Sequence, residues 1–146
     1  VKLNVSLPDE SWYVAIEDPL PGGLEGLNER LNTTSFAARP DYYGDGYDGS
    51  DEFFYRQYGY NNKEVRDDRV VFFVTQLNKG QHTFTYLARA TQAGTFDALP
   101  TQVYLMYSPA TWGRSASSEV SVRPSAAQER AIEPASGIDL TQLDQP

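Results

Sequence analysis

Apolar and polar residues alternate from the first positions of the chain. Leu3, Val5 and Leu7 fall on one side and Lys2, Asn4 and Ser6 on the other. That two-residue period predicts a strand with one buried face. Pro8-Asp9-Glu10 reads as a turn. The aromatic and β-branched run WYVAIE at 12–17 predicts a second strand, joined to the first as a hairpin. Pro19-Leu20-Pro21-Gly22-Gly23 ends it, because proline cannot donate to a ladder. In LEGLNERL (24–31), Leu24, Leu27 and Leu31 stand at helical spacing, which predicts at most one short amphipathic turn of helix against a sheet. The run EVRDDRVVFFVTQL (64–77) is the most strand-like, and its continuous apolar stretch Val70 to Val74 suits a sandwich centre. Asn78-Lys79-Gly80-Gln81 predicts a hairpin turn, after which HTFTYLARATQ (82–92) alternates with Phe84, Tyr86 and Ala88 on one face. Further strands are expected from Gly94, over 101–107 and over 117–123. About seven to eight short strands with turn signals between them predict an all-β, antiparallel β-sandwich.

Two stretches do not read as core. DYYGDGYDGSDE (41–52) holds five acids, three glycines, three tyrosines and no base, which is loop chemistry. It leads into the aromatic FFYRQYGY (53–60), a strand or a packed loop. From Pro124 the chain has no aromatic residue and one base against four acids. The division expected is therefore a β-sandwich domain over 1–123 and an acidic tail or linker over 124–146. Ile138, Leu140 and Leu143, near its end, are apolar residues suited to docking on a neighbouring surface.

Composition narrows the chemistry. The 146 residues include no cysteine and one histidine, and the net charge is −8. A disulfide framework, a thiolate metal site, a Cys nucleophile and a thioester made by this chain are excluded. The acidic balance argues against nucleic acid and anionic lipid, which need a basic face. No run of about 18 apolar residues is present, so no segment is expected to insert directly into a membrane. The N-terminus lacks the basic and apolar regions of a signal peptide and opens directly in strand alternation, as a fragment or a processed chain would.

No catalytic constellation emerges, and the domain is read as a non-enzyme with no cofactor. His82 flanks a predicted turn with no Ser or Asp partner nearby in sequence, and is read as a polar turn residue. Asp45, Asp48 and Asp51, within the acidic loop, are weak calcium candidates, because their spacing lacks the usual closing carboxylate. Asp67 and Asp68 lie between Arg66 and Arg69. Adjacent strand residues point to opposite faces, so these four are read as a structural group that pairs charges or caps a turn. GGLEG lacks the Lys-Ser/Thr ending of a phosphate loop. Asn4-Val5-Ser6 and Asn32-Thr33-Thr34 match the glycosylation sequon, which matters only in a eukaryotic secretory host. Met106 stands between Leu105 and Tyr107, close to Tyr104, and on alternation alone reads as packing at a strand end.

Four blocks together change that weighting: YVAIEDPLPGGLEGLN (13–28), EVRDDRVVFF (64–73), FTYLARATQAGTF (84–96) and VYLMYSP (103–109). In order and spacing they resemble the C-terminal, receptor-binding-domain-like macroglobulin domain of bacterial alpha-2-macroglobulins, over roughly residues 1–123. The acidic loop and the tail depart from that pattern. The resemblance implies a β-sandwich in a large, broad-spectrum protease trap of the bacterial cell envelope, periplasmic or extracellular, whose parent chain is in some cases lipid-anchored. It implies partners in the same parent chain, chiefly a thioester domain, and proteases captured after cleavage of a bait region. It also implies that the Met-Tyr-x-Pro element shields the thioester, with Met106 as the matching residue and Tyr107 and Tyr104 as its neighbours. A competing expectation is a cell-surface binding sandwich that recognises protein or carbohydrate through its Tyr/Asp-rich loop at 42–60.

Overall fold

The structure, a computed structural model, describes residues 1–28 and 59–124. Eleven strands and no helix are found among these residues. They are β1 (Lys2–Leu7), β2 (Ser11–Pro19), β3 (Leu24–Gly26), β4 (Asn62–Val65), β5 (Arg69–Leu77), β6 (Gly80–Thr85), β7 (Ala88–Ala90), β8 (Gly94–Ala98), β9 (Gln102–Leu105), β10 (Ser108–Arg114) and β11 (Ser118–Val122). Every pairing is antiparallel. The architecture is the all-β sandwich that the alternation predicts.

One layer is a five-stranded sheet in the order β10-β9-β2-β5-β4. The other is built around β6 and β7, which run on from each other with a break at Tyr86-Leu87. β1 pairs with β6, and β3 pairs with β7. Tyr86 exchanges backbone bonds with Val1, while the Leu87 carbonyl accepts from Leu27 N, so β1 and β3 flank the break on opposite sides. β8 and β11 form a separate two-stranded ribbon.

The core lies between the layers. From the large sheet come Val14 and Ile16 of β2 and Val70, Phe72 and Val74 of β5. Leu3 and Val5 of β1, Phe84 and Tyr86 face them. Register enforces the match: Val14 sits opposite Val74 and Ile16 opposite Phe72, so one face of each strand is committed inward. Phe72 is the hub, with ring centroids 5.1 Å from Tyr60, 5.4 Å from Phe84 and 6.4 Å from Tyr86. A polar clamp adds to this packing. The Asp18 carboxylate, 7% exposed, accepts 2.6 Å hydrogen bonds from the hydroxyls of Tyr86 and Thr101. It thereby ties both layers to the start of β9, and its hydrogen bonds offset the cost of burying the carboxylate.

Several expectations are corrected. The turns at Pro8–Glu10 and Asn78–Lys79 carry the chain between layers and close no hairpin, since β1 pairs with β6 and β5 with β2 and β4. Leu3 and Val5 must face Val14 and Ile16 across the core, which neighbours in one sheet cannot do. The run at 64–77 splits into β4 and β5 around Asp67-Asp68, with Val65 opposite Val70. The helical reading fails at residues 24–26, which form β3. Gly26 explains why the chain is close-packed there: a Cβ would lie 2.7 Å from Val65 Cγ1. Gly23, at φ 84°, has Phe96 where a side chain would stand, 2.4 Å from a built Cβ. Leu31, the acidic loop and the tail from residue 125 lie outside the described residues. The strand total exceeds the expected one because β3, β4 and β7 are very short and β10 is exposed at every position, leaving no alternation to read.

The buried hydroxyl of Tyr86 yields a test. Burial, then the hydrogen bond to Asp18, pushes its phenol well above the usual range near 10. That contribution is fully present below about pH 10 and is lost as pH rises above it, because the unfolded chain ionises first. Tyr86→Phe leaves Asp18 short of one partner and is expected to cost about 1–3 kcal/mol at pH 7. Urea denaturation of both proteins should show this gap shrinking by about pH 11.

Candidate functional site

β9 and β10 are joined by a two-residue turn with Met106 and Tyr107 at its tip. Two-residue hairpins usually take turns that need positive φ and contain Gly or Asn. Neither tip residue has positive φ. The register between the strands shifts between Ser108 and Trp112, which absorbs the mismatch in twist. Pro109 lies in this irregular stretch of an edge strand, where a missing N–H is tolerated.

The tip is exposed yet ordered by contacts. Met106 is 44% and Tyr107 79% exposed. The Met106 backbone N–H donates to the Tyr13 carbonyl at 2.9 Å. The Tyr13 and Tyr107 rings meet edge to face, with centroids 5.0 Å apart and planes at 88°. Such a pair is worth about 0.5–1.5 kcal/mol. Among the described residues, Tyr13 is the one non-glycine residue with positive φ, at 54°. For a bulky side chain that conformation costs of order 1–3 kcal/mol and persists only when surrounding structure imposes it.

Behind the tip, the outer face of the large sheet carries a cross-strand row: Phe73, Ala15, Tyr104 and Trp112, in register on β5, β2, β9 and β10. Ala15 is fully buried between its larger neighbours, whereas Trp112 is 60% exposed, with the Arg114 guanidinium 5.9 Å from its ring centre. Tyr104 therefore lies two residues back from the tip on this half-buried row. Its hydroxyl is 3.5 Å from Glu17 Oε2, and burial, then the Glu17 charge, raises its pKa above the usual phenol value.

The face ends in charge. Arg69 pairs with Glu17 and, at 2.6 Å, with Asp68. The Arg69 hydrogen bond, with its positive charge, holds the Asp68 carboxyl below the usual range. Arg66 reaches Glu64 at 2.6 Å, and Asp67 makes no ion pair among the described residues. All four sit at or beside the β4–β5 turn, away from the tip. His82 faces the Asn78 carbonyl through Nε2 at 2.8 Å, on the turn it flanks. Asp45, Asp48 and Asp51 lie outside the described residues, among which no group of three or more His, Cys, Asp or Glu could hold a metal.

The tip thus offers a thioether and phenol rings, with no nucleophile–base pair. Soft and aromatic side chains of this kind suit apolar contact. Sequence reasoning missed Tyr13 and Trp112. Trp12-Tyr13 carried a signal, since adjacent aromatics on a strand point to opposite faces and one must leave the core. Trp112 carried none.

Fold and tip together define a sandwich module whose exposed apolar residues suit contact with another domain. The bacterial alpha-2-macroglobulin MG10 domain family matches residues 1–110. The alpha-2-macroglobulin homolog of Nostoc sp. is 30% identical over 106 residues, 71% of this chain and 5% of that protein. Among solved structures, Escherichia coli alpha-2-macroglobulin activated by porcine elastase superposes with a TM-score of 0.66 at 27% identity, covering 84% of this chain and 10% of that one. Salmonella alpha-2-macroglobulin reacted with methylamine gives 0.60 at 28% identity, over 84% and 7%. The chain belongs to the bacterial alpha-2-macroglobulin family, as a macroglobulin-like domain. It spans about one-twentieth of the Nostoc relative's length.

Because the tip packs on little of its own domain beyond the Tyr13 ring, Tyr107→Ala is expected to cost at most about 1.5 kcal/mol. Phe72→Ala should cost about 3–5 kcal/mol. Thermal denaturation of the two variants against wild type checks the contrast.

Proposed function

We propose that this domain is a non-catalytic cover within a protease-trapping parent chain. The Met106–Tyr107 tip packs against a thioester domain of the same parent and keeps water and nucleophiles from the reactive bond until a protease cleaves the bait region. The observation that carries this reading is the exposed, ordered tip of soft and aromatic side chains. A thioester survives in water only where water and bases are excluded. Methionine suits a removable seal, being flexible, polarizable and without a proton to donate. With no cysteine in the chain, the thioester belongs to another domain.

Two relatives support the same chemistry. The Escherichia coli protein is known in a form activated by elastase, a protease, and the Salmonella protein in a form reacted with methylamine, a small nucleophile. Tyr104 and the outer row extend the contact behind the tip. The seal must come off after cleavage, so the interface is of moderate, inter-domain size. In this reading the sandwich unit is 1–123 and the tail 124–146 is an appendage. The parent works in the cell envelope, periplasmic or extracellular, and its external partners are the proteases it captures. The alternative, recognition of protein or carbohydrate through the Tyr/Asp-rich loop, concerns residues 42–60, of which 42–58 lie outside the described residues.

The test uses the full parent protein. Met106→Ala and Tyr107→Ala are each expected to raise the rate of free-thiol appearance in resting protein about tenfold, equivalent to roughly 1.4 kcal/mol of lost protection. Wild-type rates in both variants would sink the reading.

A further inference from the structure

We propose that Tyr13 is a positioning residue that presets the Met106–Tyr107 tip, and that its left-handed backbone is kept for that purpose. The inference rests on the cover reading above and adds a residue to it. In β2, Trp12 pairs with Gln76 and Val14 with Val74, while Tyr13 between them is out of the ladder to β5. Its φ of 54° accompanies this departure. The same residue then makes two contacts with the tip. Its carbonyl holds the Met106 N–H, and its ring meets the edge of Tyr107. One residue thus restrains both tip residues, Met106 through its backbone carbonyl and Tyr107 through its ring.

The strain and the contacts point the same way. A backbone conformation disfavoured for tyrosine persists where neighbouring structure over-determines it, and such positions cluster at functional sites. Glycine or asparagine would occupy it at lower cost. The ring pair, worth about 0.5–1.5 kcal/mol, does not outweigh a backbone cost of about 1–3 kcal/mol, so net stability does not account for an aromatic residue here. The ring has a use in ordering Tyr107, which at 79% exposure is otherwise free to change rotamer in water. Ordering the tip beforehand lowers the entropy lost when it docks.

The experiment compares Tyr13→Gly, Tyr13→Asn and Tyr13→Phe in the full parent protein, with Tyr107→Ala as reference. Melting temperature and free-thiol appearance in resting protein are read for each. Glycine and asparagine suit the backbone and remove the ring. Both should hold or raise the melting temperature while speeding thiol appearance roughly two- to tenfold, the rate equivalent of one aromatic pair. Tyr13→Phe, which keeps the ring, should restore the wild-type rate. Wild-type rates for the glycine and asparagine variants, beside a fast Tyr107→Ala, would overturn the role of Tyr13 and leave the cover reading standing. Wild-type rates throughout, Tyr107→Ala included, would overturn both.

Discussion

The position of β2 between β5 and β9 is the constraint on which the rest of the structure depends. Val14 and Ile16 face inward against Val74, Phe72, Leu105 and Val103 in direct register. Phe72 carries that contact across to Phe84 and Tyr86 in the second layer. Shifting β2 by one residue would turn its buried face outward and bring Tyr13, Ala15 and Glu17 into the core. The hydrophobic face therefore sets the register. The register in turn places Tyr13 beside Met106 at one end of the strand and Asp18 beneath Tyr86 and Thr101 at the other.

The two ends of β2 hold the fold by different physics. At the inner end a nearly buried carboxylate is satisfied by two hydroxyls, and such a group is costly to leave unpaired. At the outer end an exposed turn is held by one backbone hydrogen bond and one ring contact. Those are weak enough to leave the tip exposed and specific enough to fix its shape. The charges at the far edge of the same face, Arg69 with Glu17 and Asp68, are solvent-screened and contribute little stability. They bound the apolar surface, whereas the Asp18 clamp joins the layers.

The alternation of Leu3, Val5 and Leu7, the apolar run Val70–Val74 and the order of the sequence blocks made the β-sandwich and its family legible, because burial of one strand face is written directly into the two-residue period. Pairing partners were not legible. A turn such as Asn78-Lys79-Gly80 looks the same whether it closes a hairpin or crosses between layers. Met106 was singled out through its motif, and the structure places it at the exposed β9–β10 turn. Tyr13 and Trp112 were not recognised, since exposure of an aromatic residue depends on which neighbours cover it.

The sequence by itself determined that this chain is an all-β, cysteine-free domain with no thioester of its own, because composition and strand period are local properties. Only the tertiary structure decided that residues 13 and 106–107, far apart in the chain, meet at one exposed tip. That meeting follows from β2 and β9 lying side by side, and the pairing is chosen by the complete core.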